Sequence, residues 1–539
     1  MCSNRENPGS SGGKQPFSLL DGAFQDAIRL RMRSVAIVEQ GRLEGENVAG
    51  IHRFLGVPYA KPPVGPLRWR APQPVEPWDG VRPANRFGAI AIQTAGACFT
   101  LRETRQSEDC LSLNVWTGSL DREVRQPVMV WIHGGGYLGG AGSEDAYDGA
   151  NLAQLGVTVV TFNYRLGAFG FLAHPDVGAN FAVLDYLAVL EWIQQNISAF
   201  GGDPDNVTIF GESSGAGAVR TLLSTRRARG LFHRGIMQSA GFEPIAIAPP
   251  WTFARTQAAT ERLMEIVGAK TIEELRTIPA DVMRKASHAV SGVIPQPGKV
   301  HTPANLIWVP VPDELVDAEG FAGWADDVPV MFGCTENEAR YFIKPGRPQL
   351  PFPQNIVIAF LNLVKPGGIF SWSIVEKIAG GLAGPHASEV LEILRGSGKT
   401  PYECLDRLMT TLIWREPAYQ SIGRFAALNK TFYYYNFGRV SPGARTSKNL
   451  ARHTSEIRYL FGNLTADGEY DEIDQKVSAE MQSAWTAFAR SGIPRAVDGA
   501  AWPAFDARAP QYTSIEDGPA FHPYDVDELT RVIVSMRHD

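Results

Sequence analysis

Two adjacent serines stand in the segment VTIFGESSGAG, which covers residues 207–217. Residues 211–215 match the pattern G-x-S-x-G, in which a strand turns sharply into a helix and exposes the central side chain as a nucleophile. The flanking glycines let the backbone approach closely without a Cβ clash. The pattern therefore predicts Ser213 as the nucleophile. Ser214 is expected to act through its backbone N–H at the start of the helix, where an oxyanion can bind, and its hydroxyl is interpreted as incidental.

A serine hydroxyl is a weak nucleophile at neutral pH, so a reactive serine requires a general base, an acid that orients the base, and donors for the oxyanion. The segment HGGGYLGG, residues 133–140, predicts the donors, because its three consecutive glycines follow the apolar run PVMVWIH. Glycines there let backbone N–H groups face a substrate carbonyl. The alternative is that these glycines only make the loop flexible. This alternative is disfavoured, because flexible glycines directly after a buried strand would lower the stability without any gain.

Strands and helices alternate around these motifs. The apolar, β-branched runs PVMVWIH (127–133) and VTVVTFNYR (157–165) are typical of strands buried on both faces of a parallel sheet. Residues 180–200 then repeat their apolar positions at helical spacing. A right-handed crossover is expected to make VTIF (207–210) a parallel neighbour of the second run within the sheet. AGAVRTLLS (216–224) is predicted as the next helix.

Length and composition indicate a globular protein with a large core. The 539 residues carry a net charge of −6, and 44% of them are hydrophobic. We expect a disordered tail at residues 1–15 and a single catalytic domain over 16–539, with helical insertions at about 246–320 and 345–430. No long block of like charge favours nucleic acid as a partner. No apolar run reaches about 18 residues, so no membrane span is predicted.

The N-terminal segment and the cysteines narrow the class of protein further. The N-terminal segment lacks the apolar core of a signal peptide, which predicts a cytoplasmic protein. Five cysteines without C-x-x-C spacing disfavour a zinc site. No metal or other cofactor is predicted, and nothing in the sequence indicates an oligomeric state.

Longer segments resemble the type-B carboxylesterase/lipase family of α/β-hydrolases, to which cholinesterases and fungal lipases also belong. The similar segments include FLGVPYAKPPVGPLRWRAPQPVEPWDG (54–80), SEDCLSLNVW (107–116), NYRLGAFGFL (163–172), GGDPDNVTIFGESSGAG (201–217) and LFHRGIMQSAG (231–241). The resemblance implies an α/β-hydrolase fold, with a mostly parallel central sheet flanked by helices, and a Ser, Glu, His triad in that chain order. It also implies that Gly135, Gly136 and Ser214 form the oxyanion hole.

The acid and the base are assigned from this resemblance. The family places the acid five residues after a glycine at a strand end, and VPVMFGCTENEARYF supplies Gly333 and Glu338 after the run 328–332. Glu336 is interpreted as a solvated strand-end carboxylate. The segment ARHTSEIRYLFGN (451–463) resembles the family's histidine loop and identifies His453 as the general base. Glu338 would then fix the tautomer of His453 and stabilise the imidazolium.

Other residues carry over from the family with less specific roles. Ser239, in the segment MQSAG, is expected to hydrogen-bond the acid or the base. Glu212 has two alternative roles, tuning the histidine electrostatically or capping the helix. Cys98 and Cys110 match the family's first disulfide pair and are predicted to pair in air-purified protein, although the protein is expected to work without the bond in the cell.

The function predicted from these residues is that of a serine carboxylic ester hydrolase. It would act through an acyl-enzyme on a small to medium, largely apolar ester, because a neutral, mostly apolar pocket is the default for such a site. The alternative is that the same triad serves acyl transfer, lactonisation or elimination in biosynthesis. A non-catalytic binding protein of the same fold is disfavoured by the complete triad. Choline esters are disfavoured as substrates, because the segment between Cys98 and Cys110 lacks the tryptophan with which cholinesterases bind a quaternary ammonium.

Overall fold

The structure is a computed structural model, and it describes residues 32–93, 99–240, 251–292, 306–317, 325, 327–343, 371–428 and 430–537. The predicted tail at residues 1–15 lies outside these ranges. Parts of the two predicted insertions also lie outside them, so the division into one domain with two insertions stays a prediction.

One large sheet of 13 strands organises the described residues. Its strands in chain order are β1 (Met32–Val38), β2 (Gly41–Val48), β3 (Ile51–Pro58), β4 (Val81–Pro83), β5 (Ser112–Thr117), β6 (Gln126–Ile132), β7 (Thr158–Phe162), β8 (Gly202–Glu212), β9 (Arg234–Gln238), β10 (Val330–Thr335), β11 (Phe432–Phe437), β12 (Gln511–Ile515) and β13 (Pro519–Pro523). The order across the sheet is β1-β2-β3-β5-β7-β6-β8-β9-β10-β11-β12-β13, and β4 pairs with β2 off this path. Neighbours from β7 to β12 in this order are parallel, whereas the other pairs on the path are antiparallel.

Helices flank this mostly parallel sheet, which confirms the predicted α/β class. The α-helices of the described residues are α1 (Ala150–Gln154), α2 (Ala168–Phe171), α3 (Phe181–Asn196), α4 (Ser214–Leu223), α5 (Phe253–Val267), α6 (Ile272–Thr277), α7 (Ala280–Ala289), α8 (Trp372–Ala383), α9 (Ala387–Gly396), α10 (Pro401–Thr410), α11 (Glu416–Ala427), α12 (Pro442–Thr446), α13 (Ile457–Phe461), α14 (Glu472–Ser491) and α15 (Glu528–Ser535). A π-helical turn, Thr411–Arg415, joins α10 to α11.

The strand order reverses beside β6. The chain passes from β6 through α1 to β7 on one side, and β8 pairs with β6 on the other side. The strands β7 and β8 are therefore parallel, as predicted, but β6 lies between them, and the prediction that they are direct neighbours is wrong. In open α/β sheets such a reversal opens a crevice at the carboxyl ends of the strands. The glycine run follows β6 and Ser213 follows β8, so the two motifs meet at this crevice.

The strand β7 is shorter than the sequence indicates, because the polar residues at the end of the predicted run have other partners. The run was expected to extend to residue 165, but β7 ends at Phe162. The Asn163 side chain accepts a hydrogen bond from the Gly142 N–H, and Arg165 forms a buried ion pair with Asp185. These side chains fasten the loop after β7 instead of extending the sheet.

The core lies on both faces of the sheet, and β6 shows how the sequence divides between them. Val128, Val130 and Ile132 belong to one buried cluster, whereas Met129 and Trp131 belong to the other. Successive strand residues point to opposite faces, so a strand covered on both faces must be apolar throughout. This burial fixes the end of β6, from which the glycine run starts.

Two kinds of feature, a membrane-spanning helix and a metal-binding cluster, are absent from the described ranges. No helix in them combines the length and the apolar character that a membrane crossing requires. They also contain no group of three or more His, Cys, Asp or Glu side chains placed to hold a metal ion.

Candidate active site

The turn between β8 and α4 holds Ser213 in a strained backbone conformation. Its φ of 57° and ψ of −124° lie outside the regions that most residues adopt, at a cost on the order of 1–3 kcal/mol. The Ser213 N–H donates to Gln238 O at 2.9 Å, and the Gly217 N–H donates to Ser213 O at 3.0 Å. This sharp strand-to-helix turn has the shape that the G-x-S-x-G pattern predicts.

Glycines allow the loop after β6 to lie directly against this turn. A Cβ on Gly215 would lie 2.0 Å from Ile132 O, at the end of β6. A Cβ on Gly134 would lie 2.8 Å from Glu212 O and 3.2 Å from the Ser213 Cβ. Side chains at these glycines would push the loop away from the nucleophile.

Three backbone N–H groups around Ser213 have no hydrogen-bond acceptor among the described residues. Gly135 and Gly136 have φ values of 107° and 64°, in the region that favours glycine. The N–H groups of Gly135, Gly136 and Ser214 donate to no acceptor in the described part of the chain. Unbonded donors that are already oriented are what an oxyanion requires, so the geometry is compatible with the oxyanion hole that the family resemblance implies.

His133 precedes the glycines and has a structural environment. Its Nδ1 lies 2.9 Å from Gly134 O, and its ring stacks on Tyr164 with the centroids 4.4 Å apart. Burial lowers the pKa of His133 to about 4. The ring is therefore neutral at physiological pH and supports the loop rather than carrying protons.

His453 and Glu338, the base and the acid that the resemblance implies, form a buried, hydrogen-bonded pair. The His453 Nδ1 donates to Glu338 Oε2 at 2.6 Å, and the Thr335 N–H donates to Glu338 Oε1 at 2.7 Å. The Asn337 N–H donates to Ala451 O at 2.8 Å, which ties the loop of the acid to the loop of the histidine. Hydrogen bonds therefore hold the imidazole through its Nδ1.

The competing carboxylate, Glu336, lies at the surface. Its side chain is 47% exposed and forms an ion pair with Arg415 at 2.8 Å. Its Oε2 also accepts a hydrogen bond from the Asn436 side-chain amide. These contacts agree with the interpretation of Glu336 as a solvated strand-end carboxylate.

The second ring nitrogen of His453 contacts Glu212. The His453 Nε2 lies 3.1 Å from Glu212 Oε1, and no hydrogen bond joins this nitrogen to the Ser213 hydroxyl among the contacts of the described residues. Catalytic hydrogen bonds are often formed only when substrate is bound. Glu212 does not cap α4, so its contact with the ring favours the electrostatic role over the capping role.

A third buried glutamate, Glu456, completes a cluster around His453. Burial and the neighbouring carboxylates raise the pKa of Glu456 to about 8 and that of Glu212 well above its usual value. The Ser239 hydroxyl donates to Glu456 Oε1 at 3.3 Å. The expectation that Ser239 bonds the acid or the base is therefore not met, because Glu456, rather than Glu338 or His453, lies within reach of its hydroxyl. The sequence analysis assigned no role to Glu456, although its position three residues after His453 could have indicated one.

The hydroxyl of Ser214 accepts a hydrogen bond in the structure. The Tyr137 N–H donates to Ser214 Oγ at 3.2 Å, and both residues are buried. This bond joins the first turn of α4 to the loop that carries Gly135 and Gly136. The interpretation of the Ser214 hydroxyl as incidental overlooked this contact, because nothing in the local sequence pairs positions 137 and 214.

Three aromatic rings surround His453 and form an aromatic wall, which consists of Tyr341, Phe342 and Trp414. Their ring centroids lie 5.8, 5.4 and 5.4 Å from that of the histidine, in the same order. Phe342 stacks on Trp414 at 5.7 Å and is 41% exposed. The sequence analysis missed all three rings. The pair Tyr341 and Phe342, three and four positions after Glu338, was a usable signal. Trp414 lies in a π-helical turn that no motif marks, and such turns are frequent at functional sites.

The predicted pairing of Cys98 with Cys110 remains a prediction. Cys98 lies outside the described residues, and Cys110 is a buried free thiol. Burial raises the pKa of the Cys110 thiol, which keeps it protonated and unreactive at neutral pH.

Comparison with known proteins places the chain in a family. A model of the carboxylesterase family matches residues 33–530. The para-nitrobenzyl esterase of Bacillus subtilis (strain 168) is 33% identical over 500 residues, which are 87% of this chain and 92% of that protein. The phenmedipham hydrolase of Pseudarthrobacter oxydans is 32% identical over 503 residues, 90% of this chain and 95% of that protein.

Solved structures show the same relationship. A PNB esterase structure superposes with a TM-score of 0.75 at 30% identity and covers 93% of this chain and 100% of its own. A carboxylesterase of Geobacillus stearothermophilus has a TM-score of 0.74 at 30% identity, with 93% of this chain and 99% of its own covered. The chain therefore belongs to the carboxylesterase family and is a serine carboxylic ester hydrolase with the α/β-hydrolase fold.

Proposed function

We propose that the protein hydrolyses small to medium, largely apolar esters through an acyl-enzyme on Ser213. The observation that carries the proposal is a set of three N–H groups without an acceptor among the described residues. Those of Gly135 and Gly136 lie in a loop that packs on the Ser213 turn near the His453–Glu338 pair, and that of Ser214 lies on the turn itself. Nucleophile, base, orienting acid and oxyanion donors are the parts that acyl transfer to a serine requires.

The proposed reaction has two halves. His453 takes the proton of the Ser213 hydroxyl at Nε2 as Oγ attacks the ester carbonyl carbon, and the three N–H groups stabilise the resulting oxyanion. The tetrahedral intermediate then collapses, and His453 gives the proton to the departing alcohol. Water attacks the acyl-enzyme in the same way and releases the acid.

The aromatic wall supports an apolar, aromatic alcohol part of the substrate. The departing alcohol must lie close to His453 to receive its proton, and Phe342 is the most exposed of the three rings that contact the imidazole. Leu306 adds an apolar surface 3.7 Å from the position of a Cβ on Gly136. The names of two relatives, a para-nitrobenzyl esterase and a phenmedipham hydrolase, agree with this substrate class.

A series of p-nitrophenyl esters with acyl chains of increasing length tests the proposal. We expect hydrolysis by the wild-type protein and none above background by Ser213→Ala. The same assays with benzyl alcohol as an added acceptor separate hydrolysis from acyl transfer. If a benzyl ester were the main product in water, the proposed function would change from hydrolysis to acyl transfer. Activity of Ser213→Ala would refute the assignment of the nucleophile.

We also propose that the protein works in the cytoplasm. The free, buried thiols of Cys334 and Cys404 support this location, because reducing compartments keep thiols unpaired. Fractionation of the native cells would contradict the proposal if the protein appeared outside the cytoplasmic fraction.

A further inference from the structure

Two hydroxyl groups hold the two ends of the loop that carries the oxyanion donors. At its far end, the Tyr137 N–H donates to Ser214 Oγ at 3.2 Å. At its near end, the Tyr164 hydroxyl donates to His133 O at 2.8 Å. These two hydrogen bonds are the pins of the loop, and the four residues that form them are buried.

The segment between the pins needs external support. Gly134, Gly135 and Gly136 restrict their own backbone less than other residues do, and two of them supply the N–H groups that must face the oxyanion. Tyr137 also has a positive φ of 61°, which is unfavourable for a residue with a side chain. Its own carbonyl accepts from the Gly167 N–H at 2.8 Å, and its N–H donates to Ser214 Oγ, which ties its backbone to the first turn of α4.

We propose that the hydroxyls of Ser214 and Tyr164 are positioning groups that hold the N–H groups of Gly135 and Gly136 in place for the transition state. The inference rests on the proposed function of that loop as an oxyanion hole. It assigns Ser214 two separate contributions, a backbone N–H that touches the oxyanion and a side chain that orients the other two donors.

The variants Ser214→Ala and Tyr164→Phe remove one pin each. Loss of a whole oxyanion donor lowers kcat by a factor of about 100 to 1,000, so donors that are retained but loosely held should cost less. We expect each variant to lower kcat for p-nitrophenyl butyrate by about 10-fold while KM changes by less than about 2-fold. Because both pins hold one loop, the double variant should lose less than the product of the two single losses.

A transition-state mimic separates positioning from general destabilisation. Benzyl trifluoromethyl ketone adds the Ser213 oxygen to its carbonyl carbon and places an oxyanion in the hole, whereas the corresponding trifluoromethyl alcohol cannot form this bond. We expect both variants to bind the ketone about 10-fold more weakly, in step with kcat, and to bind the alcohol like the wild type.

Two matched controls remove similar hydroxyls elsewhere. Ser224→Ala deletes a buried serine hydroxyl at the other end of α4, and Tyr59→Phe deletes a buried phenol that donates to Asn163 O at 2.7 Å. Neither control should change kcat or ketone affinity. The proposal is overturned if Ser214→Ala and Tyr164→Phe, or Tyr164→Phe alone should the first fail to fold, keep wild-type kcat and ketone affinity. Labelling of Ser213 by a fluorophosphonate in each variant shows separately that the nucleophile functions.

Discussion

His453 lies among three glutamates, but its Nδ1 is bonded to one of them, Glu338. Burial and the neighbouring carboxylates raise the pKa values of Glu456 and Glu212, which favours their protonated forms and limits the negative charge around the ring. Glu338, which accepts the hydrogen bond from Nδ1, is the partner of the imidazolium. At the scale of single residues, the position of one proton therefore determines the chemistry of the site.

Glu338→Gln should lower kcat by a factor of about 1,000 to 10,000, because an amide fixes the wrong tautomer of the histidine and does not stabilise the imidazolium. Glu336→Gln is the matched control, since it changes a glutamate two residues away that lies at the surface. Steady-state rates with p-nitrophenyl butyrate compare the two. Equal losses in both variants would contradict the assignment of Glu338 as the acid.

Glu456→Gln should flatten the dependence of stability on pH. The folded protein raises the pKa of Glu456 from 4.5 to about 8, so between these values it binds a proton that the unfolded chain releases. Its contribution to stability is complete below about pH 4.5 and is lost as the pH rises through 8, with a slope on the order of 1 kcal/mol per pH unit. Urea unfolding across this window should show a shallower decline for Glu456→Gln than for the wild type. An unchanged decline would contradict the raised pKa, and Glu392→Gln, on the exposed side of α9, serves as the control.

Ser213, Glu338 and His453 could be proposed from the sequence, Ser213 from a local pattern and the other two from segments that resemble the family's motifs. The partners of Ser214 and Ser239 could not. Ser214 meets a backbone group 77 positions away, and Ser239 meets a carboxylate 217 positions away. Such contacts depend on how separate loops converge, which no local spacing encodes.

At the scale of elements, the site depends on how closely β6, β8 and α4 pack. The sequence predicted the type of these elements, because apolar runs and helical spacing are local signals. It did not predict that β6 lies between β7 and β8, since the same alternation of strand and helix fits more than one strand order. That order matters, because it brings the glycine loop and Ser213 to one crevice.

Gly215→Ala should destabilise the fold by about 3 kcal/mol or more, because its methyl group would lie 2.0 Å from Ile132 O in the packed interface of α4 and β6. Gly423→Ala is the matched control, since that helical glycine in α11 has open space around it. The control should gain about 0.5–1 kcal/mol from helix propensity. Urea unfolding measures both, and a Gly215→Ala protein as stable as the wild type would refute the close packing.

At the scale of the whole molecule, a buried ion pair connects distant parts of the chain. Arg68 donates two hydrogen bonds to Glu108, at 2.7 and 2.6 Å, and a third to Ile278 O at 2.8 Å, just after α6. The strand-rich N-terminal region is thereby fastened to a helix from a range predicted as an insertion. The sequence contains both residues, but their contact with α6 could not be inferred from it.

Arg68→Leu should lower the free energy of unfolding by about 3–5 kcal/mol, because it leaves the Glu108 carboxylate buried without its partner. The double variant Arg68→Leu, Glu108→Leu should recover part of this loss, since no charge is then buried alone. Urea denaturation compares the three proteins. A single variant as stable as the wild type would show that the pair does not fasten these regions.

Reaction with a fluorophosphonate, followed by peptide mapping by mass spectrometry, tests the central claim most directly. The probe forms a covalent bond to a serine oxygen only where a base and an oxyanion hole activate that serine. The account predicts one phosphonate per chain, attached to Ser213, with concurrent loss of esterase activity and no labelling of Ser213→Ala. A phosphonate on Ser214, or labelling that persists in Ser213→Ala, would contradict it.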